Sequence, residues 1–318
     1  MSDVIVRKRT ISCIDIGTNT ALLLIARLDL KHGTIKPVCH RQTIVRLGQQ
    51  VDASGIIQPE AIERLISCMK LYARLGNGYG VEETIAVGTS ALRDATNRTE
   101  VIAEVEKESG LHISCIPGAE EADLTFIGAV AGMEEVPSHF TVIDIGGGST
   151  EISTGSLAAP GSRISLDVGC VRLTERFFQA LPPSETAYEA ARRTVASVLS
   201  ASLSIPEGGW GRLYGVAGTV TTIAQLDLGE TSFDPDRIHT RVVDIDAVGR
   251  ILEELKHQTL EGIVAMGIPP GRADVLLVGV LILHEFMHRY GIASVQASIQ
   301  GLRFGLAVRE LERLRAVP

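Results

Sequence analysis

Two short stretches of this chain carry residue types suited to phosphate chemistry. In Ile14-Asp15-Ile16-Gly17-Thr18-Asn19-Thr20 an apolar run delivers an Asp, then a Gly, then hydroxyl and amide side chains. Ile143-Asp144-Ile145-Gly146-Gly147-Gly148-Ser149-Thr150-Glu151 repeats that order. In each copy a strand would bring a carboxylate to its end. The glycine lets the backbone turn tightly with its N–H groups exposed, which suits phosphate oxygens and a hydrated cation. A tight turn without a ligand is the plain alternative for either loop alone, and the repetition argues against it. Each copy opens a half of similar size, so the expectation is a duplicated α/β unit whose two phosphate loops face each other across a cleft.

The elements that must position these loops are legible in outline. Ile11–Ile16 and Ala21–Leu28 read as a hairpin around Gly17-Thr18-Asn19, with Ile35–Leu47 as a third strand. A helical pattern from Pro59 ends at Gly76-Asn77-Gly78. The strand Thr84–Val87 then runs into the polar loop Gly88-Thr89-Ser90-Ala91-Leu92-Arg93-Asp94, and Leu111–Ile116 stops at Pro117-Gly118 before a helix opening with Glu120-Glu121. The second half repeats the order with strands at Thr141–Ile145, Glu151–Gly155 and Arg163–Val168, a helix over Glu185–Leu203, and the strand Leu213–Val216. That strand leads through Ala217-Gly218-Thr219, a third glycine loop, into a helix. Helices over Ile245–His257 and Ala273–Tyr290, a strand at Ser294–Ala297 and a last helix from Leu302 complete the pattern; Phe233–Asp236 fits no element.

Bulk properties bound the reading. At 318 residues the chain exceeds what one core usually supports, and the boundary is expected near Gly132–Ser138. A formal charge of −8 argues against a nucleic-acid binder that works by broad charge attraction. The five cysteines are scattered and include no C-x-x-C pair, which fits a reduced compartment. Arg7, Lys8 and Arg9 precede an apolar run, but Asp15 and Asn19 interrupt it and no cleavage site follows. Val275–Leu283 is too short to span a bilayer. The chain therefore reads as a soluble cytoplasmic protein with neither nucleic acid nor membrane as partner.

With these stretches in order, the chain resembles the exopolyphosphatase and guanosine pentaphosphate phosphohydrolase family, within the actin, sugar kinase and heat-shock chaperone ATPase superfamily. The matching segments are Asp15–Thr20, Gly88–Arg93, Gly118–Ala122, Asp144–Glu151, Gly215–Thr219, Arg272–Asp274 and Gly301–Arg303. The resemblance implies an α/β fold of two duplicated ribonuclease H-like, actin-like ATPase domains with an interdomain cleft. The domains are expected at 1–132 and 133–318, with the last helix leaning back on the first. It also implies Mg²⁺ dependence, a homodimer and removal of a terminal phosphate from a phosphoanhydride chain. The chain ends soon after Arg303, like the short two-domain form of the family.

Residue by residue, Glu121 matches the family's catalytic glutamate and is the candidate base for water; a mere complement to the helix dipole, beside Glu120, is the alternative. Arg93 matches a phosphate-binding arginine, with a surface salt bridge as the alternative. Asp144 and Asp15 are the candidate Mg²⁺-side carboxylates, with Glu151 helping from the next strand unless it merely faces solvent. Thr18, Asn19, Gly146, Gly147, Gly148, Ser149 and Thr150 would donate to substrate phosphates. For Arg272 and Arg303 the alternatives of reaching substrate or bracing helices stay open. His284-Glu285-Phe286-Met287-His288 matches the H-E-x-x-H zinc pattern, with Glu310 as a conceivable third ligand. Five-residue patterns arise by chance, and ordinary helix histidines are the reading taken.

These roles point to a phosphohydrolase acting on the end of inorganic polyphosphate, or on guanosine pentaphosphate. A kinase using Gly215–Thr219 for adenosine and a non-catalytic polyphosphate or nucleotide sensor are the rivals; the Glu121 segment speaks against the kinase.

Overall fold

The computed structural model of the chain describes residues 8–316, so Arg7 of the basic cluster lies outside the described residues. The chain divides into unit 1, which ends at Glu135 and resumes at Leu302, and unit 2, Val136–Gly301. Among the described residues no helix is long and apolar enough to cross a membrane.

Unit 1 runs β1 (Lys8–Ile16), β2 (Thr20–Asp29), β3 (Thr34–Ile44), α1 (Val51–Ser54), α2 (Pro59–Gly78), β4 (Glu83–Gly88), α3 (Ser90–Asp94), α4 (Arg98–Ser109), β5 (Ile113–Cys115) and α5 (Gly118–Ala129). Its sheet has the order β3-β2-β1-β4-β5, antiparallel from β3 to β1 and parallel from β1 to β5. Central β1 is apolar on both faces, as a strand covered on both sides must be. Ile14 and Ile16 join Leu65, Met69 and Tyr72 of α2 on one face. Ile11 and Cys13 join a second cluster on the other, with Leu124 of α5. Each buried Ile, Leu or Met side chain among them contributes roughly 1.5–3 kcal/mol.

Unit 2 runs β6 (Phe140–Ile145), β7 (Thr150–Gly155), β8 (Pro160–Leu166), α6 (Cys170–Phe177), α7 (Glu185–Ser202), β9 (Arg212–Val216), α8 (Ala217–Asp227), α9 (Pro235–Ile238), β10 (Val242–Asp244), α10 (Ile245–Lys256), α11 (Leu260–Ala265), α12 (Pro270–Tyr290) and β11 (Ser294–Ala297). Its sheet, β8-β7-β6-β9-β11-β10, repeats the order and directions of unit 1 through β8, β7, β6, β9 and β11, and β10 adds an antiparallel edge. The duplicated α/β architecture is therefore present strand for strand. Side-chain caps start its helices: Ser184 accepts from Ala187 N at 3.2 Å, and Asp244 from Ala247 N at 2.7 Å. The Phe233–Asp236 stretch proves to be a cap as well, since Asp234 Oδ1 accepts from Asp236 N (3.0 Å) and Arg237 N (3.3 Å) to open α9.

The last helix, α13 (Leu302–Ala316), groups with unit 1. Leu302, Phe304, Leu306, Ala307 and Leu311 complete the apolar cluster on the β1/β2 face that α5 begins. A Cβ on Gly305 would run into the carbonyl oxygen of Leu124, so α13 lies on α5 with backbones in contact.

Candidate active site

In unit 1, β1, β4 and β5 end side by side: Ile16 registers with Gly88, and Gly88 with Cys115. Everything that follows those parallel strands thus gathers at one sheet edge, the carboxyl edge where open α/β sheets bind ligands. The first phosphate loop turns there, closed by Gly17 N donating to Thr20 O at 3.0 Å. Its carbonyls are claimed from behind, Thr18 O by Gly48 N (2.8 Å) and Asn19 O by Val45 N (3.0 Å) and Arg46 N (2.9 Å). A trans peptide points its N–H opposite to its C=O, so the amides of Asn19 and Thr20 turn to the other side. Two adjacent outward amides make a concavity for an anion.

Unit 2 builds the same device from glycines. Gly146 N donates to Ser149 O at 3.0 Å, the counterpart of the Gly17 turn. Behind the loop, Gly146 O accepts from Cys170 N (2.9 Å), and Gly147 O from Val171 N (2.8 Å) and Arg172 N (3.0 Å). Arg172 Nε donates to Gly148 O at 2.8 Å. The amides of Gly147, Gly148 and Ser149 accordingly face away from α6. A Cβ at Gly169 would collide with the Gly147 carbonyl, so only glycine lets the start of α6 come this close.

The acidic candidates flank these loops. Asp144 lies directly opposite Glu151 in the β6/β7 register, so both carboxylates stand on one face of the sheet. Glu151 is 2% exposed and its Oε1 accepts from Ser165 Oγ at 2.6 Å, which removes the solvent-facing alternative. Like charges placed directly opposite destabilise a sheet, and a hard cation between oxygen donors relieves that cost. The donor set fits Mg²⁺, which keeps most of its water and needs only one or two carboxylates. Asp15 is at the matching position of β1, opposite Leu22, so the first loop brings one carboxylate where the second brings two. Among the described residues no three His, Cys, Asp or Glu side chains are grouped to hold a metal by themselves.

Arg93 and Glu121 meet. Arg93, in the last turn of α3, donates through Nη1 to Glu121 Oε2 and to Ile116 O (3.3 Å). Glu121, in the first turn of α5, is 7% exposed. Neither the surface salt bridge nor the simple dipole complement describes this pair. The dipole-side role falls to Glu120, which takes a 2.6 Å bond from Arg309 on the exposed face of α13. Burial pushes the Glu121 carboxyl above the ordinary carboxylate range, while Arg93 and the Thr89 hydroxyl pull it down. An enclosed carboxyl with a raised pKa beside a guanidinium is a general-base constellation.

The Ppx/GppA phosphatase family model matches residues 24–314. This chain belongs to that family. A Ppx/GppA relative, exopolyphosphatase 2 of Mycobacterium tuberculosis, is 37% identical over 313 residues, covering 94% of this chain and 97% of that protein. The solved structure of an exopolyphosphatase-like protein superposes with a TM-score of 0.91 at 30% identity, covering 97% of this chain and 99% of that one. The Aquifex aeolicus Ppx/GppA family member gives 0.80 at 29% identity, with coverage of 97% and 99%. Membership makes the chain a phosphoanhydride hydrolase with the two-domain fold of its relatives.

Other sequence candidates fall into place within this Ppx/GppA chain. Arg272 braces helices: its Nη1 donates to Thr222 Oγ1 of α8 at 3.3 Å, and its guanidinium carbon lies 2.7 Å from where a Cβ on Gly218 would stand. Arg303, at the start of α13, contributes its charge beside Asp15, and burial lowers its pKa. The H-E-x-x-H histidines stack on each other with centroids 6.0 Å apart, Glu285 turns to Arg192 at 3.6 Å, and Glu310 bonds Arg313 at 2.6 Å within α13. Among the described residues no third His, Cys, Asp or Glu is grouped with the two histidines to hold a metal. Thr89, Ser165, Gly169 and Arg172 were not singled out from the sequence. Their parts depend on tertiary register, and the only advance signal was that Gly169 and Arg172 follow the third strand of the repeat.

Proposed function

We propose that the chain is an exopolyphosphatase that releases orthophosphate from the end of inorganic polyphosphate. The enclosed Arg93–Glu121 pair at the loop-bearing edge of unit 1 carries this reading, because hydrolysis needs a base and a phosphoryl-oxygen clamp side by side. The name of the M. tuberculosis relative supports polyphosphate as the substrate.

In the reaction, Glu121 accepts a proton from water as the water oxygen bonds to the terminal phosphorus. The bond from that phosphorus to the bridging oxygen breaks, and the bridging oxygen leaves on a chain shorter by one phosphate. Arg93 moves its donors from Glu121 to the transferred group, which neutralises charge there and frees the carboxylate to act. In unit 1 the outward amides of Asn19 and Thr20, beside Thr18, suit phosphate oxygens, and in unit 2 those of Gly147, Gly148 and Ser149 do; Thr150, expected as a further donor, is fully buried and gives its hydroxyl to Val168 O at 2.6 Å. Asp144 and Glu151 would hold Mg²⁺ beside the loop of unit 2, with Asp15 the matching carboxylate in unit 1; when bound it offsets charge on the phosphate oxygens. Five free cysteines fit a reducing cytoplasmic setting.

The test is phosphate release by the purified protein with short and long polyphosphate, guanosine pentaphosphate and ATP, with Mg²⁺ or with excess EDTA, beside Glu121→Gln. The expected result is release from polyphosphate that stops with EDTA and falls ~10²–10⁴-fold in the variant, while polyphosphate binding survives. Binding without release from any substrate would instead identify a sensor.

A further inference from the structure

The tripeptide Val-Arg-Leu occurs twice, at 45–47 and 171–173, each time just after the third strand of a unit. Both arginine amides donate to carbonyls of the phosphate loop in their own unit, Arg46 N to Asn19 O at 2.9 Å and Arg172 N to Gly147 O at 3.0 Å. In unit 2 Arg172 also sends its side-chain Nε to the next carbonyl, Gly148 O, at 2.8 Å.

A physical reason lies in the loops themselves. The first has Thr18 and Asn19 at its tip, and the Thr18 side chain is 7% exposed, packed where it restrains the turn. The second has Gly146, Gly147 and Gly148, residues that lose the most conformational freedom when held in one geometry. A loop without side chains must be ordered from outside. One residue, Arg172, spans two consecutive carbonyls of that loop and so fixes two consecutive peptide planes.

We propose that Arg172 is the positioning residue of the glycine loop: its main-chain N–H holds the Gly147 carbonyl inward and its Nε bond holds the Gly148 carbonyl inward, and the side-chain bond thereby presets the Ser149 amide to receive substrate phosphate. The inference rests on the phosphohydrolase reading for its substrate, but the clamp itself can be tested without turnover. Arg172 acts through the loop and not on the reacting atoms, so its removal raises KM more than it lowers kcat.

The experiment compares Arg172→Met and Arg172→Lys with the unaltered chain by polyphosphate kinetics, thermal unfolding and amide exchange of the 144–151 segment. Loss of a charge-assisted bond to a loop carbonyl should raise KM about tenfold in both variants, with kcat within about threefold. Exchange in 144–151 should quicken while the unfolding midpoint stays within about 3 °C. Lysine keeps the charge but lacks the planar Nε–H, so a lysine variant indistinguishable from the unaltered chain would overturn the proposal in favour of simple charge attraction. Unchanged exchange in Arg172→Met would overturn it too. If the unaltered chain released no phosphate from polyphosphate, the substrate reading would fail, and the exchange result would still decide the clamp.

Discussion

Glu120 and Glu121 are neighbours with opposite fates. Glu120 turns outward to Arg309, and Glu121 turns inward to Arg93. The inward carboxyl is held above its ordinary value of 4.5 by burial, so proton loss from it requires a higher pH than an exposed glutamate would need. A base works as the carboxylate, and kcat/KM for phosphate release is therefore expected to rise with pH through an apparent pKa above 4.5. Arg93→Met removes the charge that pulls this value down, so its acid limb should lie at still higher pH, besides its loss of rate. The stability sign runs the other way. A raised carboxyl favours the fold most in its neutral form, so this contribution is complete at low pH and is lost as pH climbs through the raised value. Glu121→Gln should flatten that part of the unfolding profile, measured as melting midpoint against pH. That Asp144 and Glu151 bracket the glycine loop can be read from the sequence itself; that Ser165 bonds Glu151 cannot, because a serine in a strand announces nothing until its register is known.

The elements were legible where periodicity is strong. The β1/β2 hairpin, α2 behind Pro59 and the Ala-rich α7 behind Ser184 follow local rules of turn, first-turn proline and cap. Elements fixed by packing alone were not visible. The strand expected over Leu111–Ile116 pairs for only Ile113–Cys115, β10 exists because β11 offers it an edge, and α6 begins where Gly169 meets the phosphate loop. Gly305 belongs to the same class, since nothing in its neighbours announces that a second helix will touch it. Gly305→Ala should therefore cost more than an exchange in an open helix. Forcing a methyl against the Leu124 carbonyl costs roughly 1–3 kcal/mol and lowers the melting midpoint by about 2–8 °C, measurable by calorimetry.

At the scale of the molecule the two units differ in how the chain enters them. Unit 2 is one uninterrupted segment, Val136–Gly301, with its own sheet and its own apolar cluster. Unit 1 is assembled from both sides of it, and α13 supplies one wall of the β1/β2 face. The segment 136–301 made alone should unfold cooperatively in denaturant, as an independent domain does. The segment 8–135 should bind a hydrophobic dye and fail to show such a transition until a peptide of residues 302–316 is supplied. During synthesis the apolar side of β1 and β2 has no cover while unit 2 is being made, an interval of roughly ten to thirty seconds at ordinary elongation rates. The nascent first half is thus a client for chaperones, and a chain interrupted just after Gly301 has a second-made domain that can be whole while its first-made domain is not.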